Sequence, residues 1–129
     1  MEKQIVNNPQ TLNGLKVVND PEEALKYILE GETVCRFEYG DSMTPVLNHG
    51  QYARLTPLSK NPKQGDAVFC RVNDCLMTHM VFIVNEATGQ CLICSTAGTV
   101  FGWTDEVYAI ATPMPFYEPH CFLQDDIQS

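Results

Sequence analysis

Ala67-Val68-Phe69-Cys70-Arg71-Val72-Asn73-Asp74-Cys75-Leu76-Met77-Thr78-His79-Met80-Val81-Phe82-Ile83-Val84 is the stretch on which the fold turns. Two runs of strand length, rich in β-branched and apolar residues, flank the pair Asn73-Asp74. Asn and Asp tolerate the left-handed backbone that a two-residue hairpin loop demands. The arrangement predicts an antiparallel hairpin in which Val72 pairs with Cys75 and Val68 lies opposite His79. Side chains alternate along a strand, so Val68, Cys70, Val72, Cys75, Met77 and His79 share one face. That face is largely apolar and suits a partly buried imidazole. His79 is then either a candidate base or a half-buried strand histidine with no catalytic role.

Working outward, the rest of the chain is mostly strand and turn. Val34–Tyr39 alternates, with Cys35, Phe37 and Tyr39 on one face and Arg36 and Glu38 on the other. Further strands are predicted at Tyr52–Thr56, Gln90–Ser95 and Val107–Thr112. Asn48-His49-Gly50 and Ala87-Thr88-Gly89 read as turns, and Ser59 to Gly65 as a polar loop. A single short helix is predicted after Asp20-Pro21-Glu22-Glu23. Asp20 supplies the N-cap, Pro21 the first position, and the acids complement the N-terminal dipole. Leu25, Ile28 and Leu29 form its apolar face, and Gly31 ends it. The expected fold class is mainly β. An N-terminal arm and short helix occupy residues 1–33, with a short strand around Leu15–Val18. The β-domain spans 34–112, and an extended acidic tail 113–129.

Composition narrows the function. The chain has 129 residues with 44% apolar and 19% charged content, which fits one globular domain. Sixteen acids against eight Lys and Arg give a net charge of −8, which repels phosphate backbones and argues against nucleic acid. No stretch approaches the roughly twenty apolar residues that span a bilayer, so no membrane partner is expected. The opening Met1-Glu2-Lys3-Gln4 does not read as an export signal. A cytoplasmic, reducing location is therefore expected, with the six cysteines as buried thiols rather than bridges.

The chemistry-bearing segment is Phe37-Glu38-Tyr39-Gly40-Asp41-Ser42-Met43-Thr44-Pro45, followed by Gly50. A serine just after a strand and a Gly turn stands where its hydroxyl can be free of the sheet. The Gly lets backbone N–H groups turn toward an incoming carbonyl. Taken alone, the tetrapeptide reads as an ordinary turn. In order along the chain come Gly40-Asp41-Ser42-Met43-Thr44-Pro45, Gly50, Gly65-Asp66-Ala67-Val68 and His79-Met80-Val81. This set resembles the LexA / type I signal peptidase superfamily. Cys94 to Ala109, with Gly102-Trp103 as a turn and a strand carrying Tyr108, resembles small bacterial and phage-borne members. The resemblance covers roughly residues 32–112.

That resemblance implies a twisted, mostly antiparallel β-domain and a soluble serine peptidase acting on a peptide or protein segment. Ser42 is the implied nucleophile and His79 the implied general base, with Gly40, Met43 and Pro45 shaping the oxyanion region and cleft. Gly40 stands where bacterial signal peptidases often carry a Ser, which leaves backbone donors for the oxyanion. Asp105 is the candidate orienter of His79, since a His base usually has a third group fixing its tautomer. The upstream helix-turn-helix of LexA-type repressors and the anchor of signal peptidases have no counterpart in residues 1–33. An inactive binding or structural module keeping the fold, such as a virion or regulatory component, is the alternative.

No cofactor or metal is expected. In a strand, Cys91 and Cys94 face opposite sides and do not readily chelate one ion. Cys70, Cys75 and His79 share a face and keep a metal site open as a lesser reading. Asp66 and Asp41 are read as turn residues, Trp103 as a core or edge residue. The sequence is silent on oligomeric state.

Overall fold

The computed structural model describes residues 11–38 and 51–114. Within them lies one mixed sheet of nine strands and a single short helix. The strands are β1 (Thr11–Leu12), β2 (Leu15–Val17), β3 (Val34–Glu38), β4 (Gln51–Pro57), β5 (Ala67–Val72), β6 (Cys75–Val84), β7 (Cys91–Cys94), β8 (Val100–Thr104) and β9 (Val107–Pro113). Their order in the sheet is β1-β2-β3-β4-β9-β5-β6-β7-β8. Every neighbouring pair is antiparallel except β2 and β3. The fold class expected from alternation and turn residues is the one observed.

The β5–β6 hairpin forms in the expected register, with Val72 opposite Cys75 and Val68 opposite His79. Asn73 and Asp74 both sit at positive φ, 50° and 68°, as a two-residue turn matching strand twist requires. Asn73 Nδ2 also donates to the Phe101 carbonyl at 3.3 Å, tying β8 to the turn. Asp at the second position carries a Cβ penalty that Gly avoids. Asp74→Gly is therefore expected to raise stability by about 0.5–1 kcal/mol. Urea unfolding checks this, and a lower midpoint for the variant would contradict it.

The helix α1 (Pro21–Leu29) begins as its sequence dictates: the Asp20 carboxylate accepts from the Glu23 amide at 2.9 Å, and Pro21 occupies the first turn. Gly31, at φ 90°, lets the chain turn away after the last helical residues. The buried helix residues Ala24, Leu25 and Ile28 pack on Val34, Ala53, Leu55, Phe69, Ala109 and Ala111 from one face of the sheet. The opposite face holds a second core of Val68, Cys70, Val72, Val81, Cys91 and Ile93. Strand β5 thus contributes Phe69 to one core and Val68 to the other.

The short strand expected around Leu15–Val18 forms as β2, and with β1 it extends the sheet beside β3. The Arg36 and Glu38 side chains of β3 are largely buried. Arg36 donates to the Asn19 carbonyl at 3.2 Å, pairs with Glu38 at 3.5 Å, and lies 5.8 Å from the Phe69 ring centroid. Gly102, read as part of a turn, lies inside β8 instead. Its φ is 144°, and a Cβ there would come within 3.3 Å of Val72 Cγ1. Glycine at this point lets β8 fold close over the end of β5.

Candidate functional site

His79 lies mid-way along β6, flanked by β5 on one side and β7 on the other. Alternation puts it on the second core face with Val68, Cys70 and Met77, as expected. The Phe101 ring, from β8, stacks on the imidazole with centroids 4.3 Å apart and planes 29° apart. Nδ1 is buried and has no hydrogen-bond partner. Burial also holds the imidazole below its ordinary pKa, because the charged form loses more hydration than the neutral one. Near neutral pH the ring is an unprotonated, partly buried imidazole.

Gly40, Ser42, Met43 and Pro45, the expected nucleophile and cleft residues, lie outside the described residues, as does Asp41. The structure does describe where that segment starts and ends. Glu38 and Gln51 are paired in register across β3 and β4. Glu38 is also tied to β6: its Oε2 accepts from Thr78 Oγ1 at 3.4 Å, one residue before His79. Burial pushes the Glu38 carboxyl above its ordinary value, against the pull of Arg36 and the Thr78 hydroxyl. Thr78 and Glu38 face the helix-side core, so sheet curvature brings the end of β3 across to β6.

Asp105 is not placed to orient His79. It lies between β8 and β9 beside Arg71, Asn73 and Asp74, at the turn end of the β5–β6 hairpin. The orphaned Nδ1 accepts no help from it, and burial is the cause of the imidazole's shift. The residue that does meet the ring, Phe101, was not singled out in the sequence. Its signal was available only through β8, which the Gly102 turn reading obscured. Thr104 at the end of β8 closes the structure locally, its hydroxyl donating to the Arg71 carbonyl at 2.6 Å.

Cys35, Cys70, Cys75, Cys91 and Cys94 are free thiols, all buried except Cys75. Burial pushes Cys70 up to about 12, with proximity to Cys91 adding to the effect. Cys35, Cys91 and Cys94 are raised by burial too. Raised thiols are poor metal ligands and poor nucleophiles near neutral pH. Among the described residues no three His, Cys, Asp or Glu side chains converge as a metal site. Asp66 does hold its turn, accepting from the Lys63 amide at 2.8 Å. Trp103 is 47% exposed on β8, the last strand in the sheet order, which is the edge placement of the two expected.

No helix among the described residues is long and apolar enough to cross a membrane. The class defined so far is a mainly β domain with a neutral, apolar-set histidine on a central hairpin. Searches of family models, curated proteins and solved structures returned no match.

Proposed function

We propose that the protein is a serine hydrolase of the Ser-His dyad type, related to the LexA / type I signal peptidase superfamily and acting on a peptide or protein segment. The observation carrying this reading is the tie between Glu38 and Thr78. Ser42 follows Glu38 by four residues, so the chain cannot carry it more than about 14 Å from that anchor. His79 is the next residue after Thr78. The described end of β3, four residues before Ser42, is therefore tied to the strand that carries the imidazole, through a contact on the helix-side face of that strand.

In this reading His79 takes the proton of the Ser42 hydroxyl as Oγ adds to the scissile carbonyl carbon. The same proton then passes to the leaving amine as the C–N bond breaks, leaving an acyl-serine. Water, deprotonated by His79, adds to the ester and releases the acid and the free serine. Backbone N–H groups around Gly40 to Met43 would receive the oxyanion, and Met43 and Pro45 would line the cleft. A cytoplasmic setting accords with the thiol cysteines.

The missing partner on Nδ1 favours a second reading, a binding or structural module, of virion or regulatory type, that keeps the fold without turnover. Loss of the orienting acid costs about 10⁴ in kcat in a Ser-His-Asp enzyme. A fluorophosphonate probe separates the two. Labelling is expected on the wild type, lost in Ser42→Ala, reduced at least tenfold in His79→Ala, and unchanged in Asp105→Asn. A wild type that does not label, or labelling that survives His79→Ala at full rate, rejects the dyad and leaves the binding module.

A further inference from the structure

We propose that Phe101 is the positioning residue of His79: stacked on the imidazole from β8, it fixes the ring plane and keeps water from Nδ1. It thereby supplies the orienting part of a triad carboxylate's role, without fixing the tautomer or stabilising the imidazolium. This rests on the proposed function only in giving His79 the role of base; the contact itself is independent of it.

The geometry is specific. A centroid distance of 4.3 Å with planes 29° apart is a face contact rather than an incidental touch. Phe101 is anchored at its own backbone, where its carbonyl accepts from Asn73 Nδ2. Gly102, the next residue, permits β8 to approach Val72 closely enough to set the ring over the hairpin. The stacked face and the apolar floor leave Nδ1 buried with neither protein donor nor acceptor. A ring fixed by packing has its orientation set without a hydrogen bond, whereas its tautomer stays unassigned by any charged neighbour.

Among the described residues, the charged and titratable groups around the ring are few. On the same face, β5 offers Cys70 and β7 offers Cys91, both neutral thiols near neutral pH, and Cys94 closes β7 in the same state. Cys75, on the same strand, is exposed at the hairpin turn. Asp66, just ahead of β5, acts on Cys91. Strand β8 carries no titratable side chain over Val100–Thr104, and β9 presents Val107 and Ile110 to this core. Among the described residues, Phe101 is the ring that covers the face of His79.

The test uses the full chain and ring-carbon NMR titration of His79, assigned against His49 and His120 by the signal lost in His79→Gln. Phe101→Ala is expected to raise the His79 pKa toward the ordinary imidazole value. Phe101→Val moves it in the same direction and preserves a strand-favouring apolar residue if the alanine variant unfolds. Phe101→Tyr, which keeps the flat ring, is expected to restore wild-type titration. Where the probe labels, the acid limb of its rate profile should shift upward with the pKa. An unchanged His79 titration in a folded Phe101→Ala or Phe101→Val overturns the inference. Failure of the wild type to label rejects the hydrolase but not the contact, because the titration is read without turnover.

Discussion

Phe69→Ala is expected to remove about 3–5 kcal/mol of folding stability, the range for an aromatic ring deleted from a packed core. Phe69 lies on β5 between β9 and β6 and is fully buried. Its ring packs among the residues that helix α1, β3, β4 and β9 send into the helix-side core. The strands cannot move inward to fill the space without breaking a ladder, so the cavity term adds to the lost transfer energy. The Arg36 guanidinium 5.8 Å from the ring centroid would lose its aromatic face, worth about 0.5–1 kcal/mol. Against a total of about 5–15 kcal/mol for a small domain, the variant should be close to unfolding. Urea denaturation is expected to show a much lower midpoint at constant slope, with Phe69→Leu losing less. A loss under about 1 kcal/mol for the alanine variant would mean the core is not organised around this ring.

The hairpin was legible because each of its determinants is local. Asn73-Asp74 fixes the turn, the turn fixes the register, and the register decides that His79 shares a face with Val68. The helix was legible for the same reason, from Asp20, Pro21 and Gly31. What escaped depends on contacts distant in sequence. Arg36 and Glu38 carry no local sign of burial, and contacts with Asn19, Phe69 and Thr78 are what hold them. Strand β8 is short and contains a glycine, two features that locally signal a turn. Its pairing with β7 and its closeness to Val72 are tertiary facts. Asp105 was assigned by residue type alone, which carries no information about which end of the hairpin it would occupy. The relation between Ser42 and His79 is constrained by chain reach from Glu38, and its chemistry is left to the labelling experiment.

His79→Leu is expected to stabilise the protein at neutral pH, by about 1–2 kcal/mol, because it removes a buried polar atom with no partner. Leucine is close to histidine in volume, suits packing against Phe101, and brings no orphaned group. The gain should also depend on pH, with a definite sign. Burial depresses the folded-state pKa of His79 below the ordinary 6.5. Between those two values the unfolded chain binds a proton that the folded chain refuses. The wild type therefore keeps the full contribution of this site above about pH 6.5 and loses stability as the pH falls toward the folded pKa. Leucine binds no proton, so the advantage of the variant is smallest at about pH 8 and larger at about pH 5.5. All other titrating groups are common to both proteins and cancel in the difference. Each kcal/mol corresponds to roughly 3–5 °C in Tm for a chain of this size. Paired unfolding curves at the two pH values measure the effect. A variant less stable than the wild type at both, or a difference that does not change with pH, would show that Nδ1 is satisfied in solution. A stability gain combined with lost probe labelling would identify a group whose cost to the fold is offset by chemistry, as at other strained or destabilised active sites.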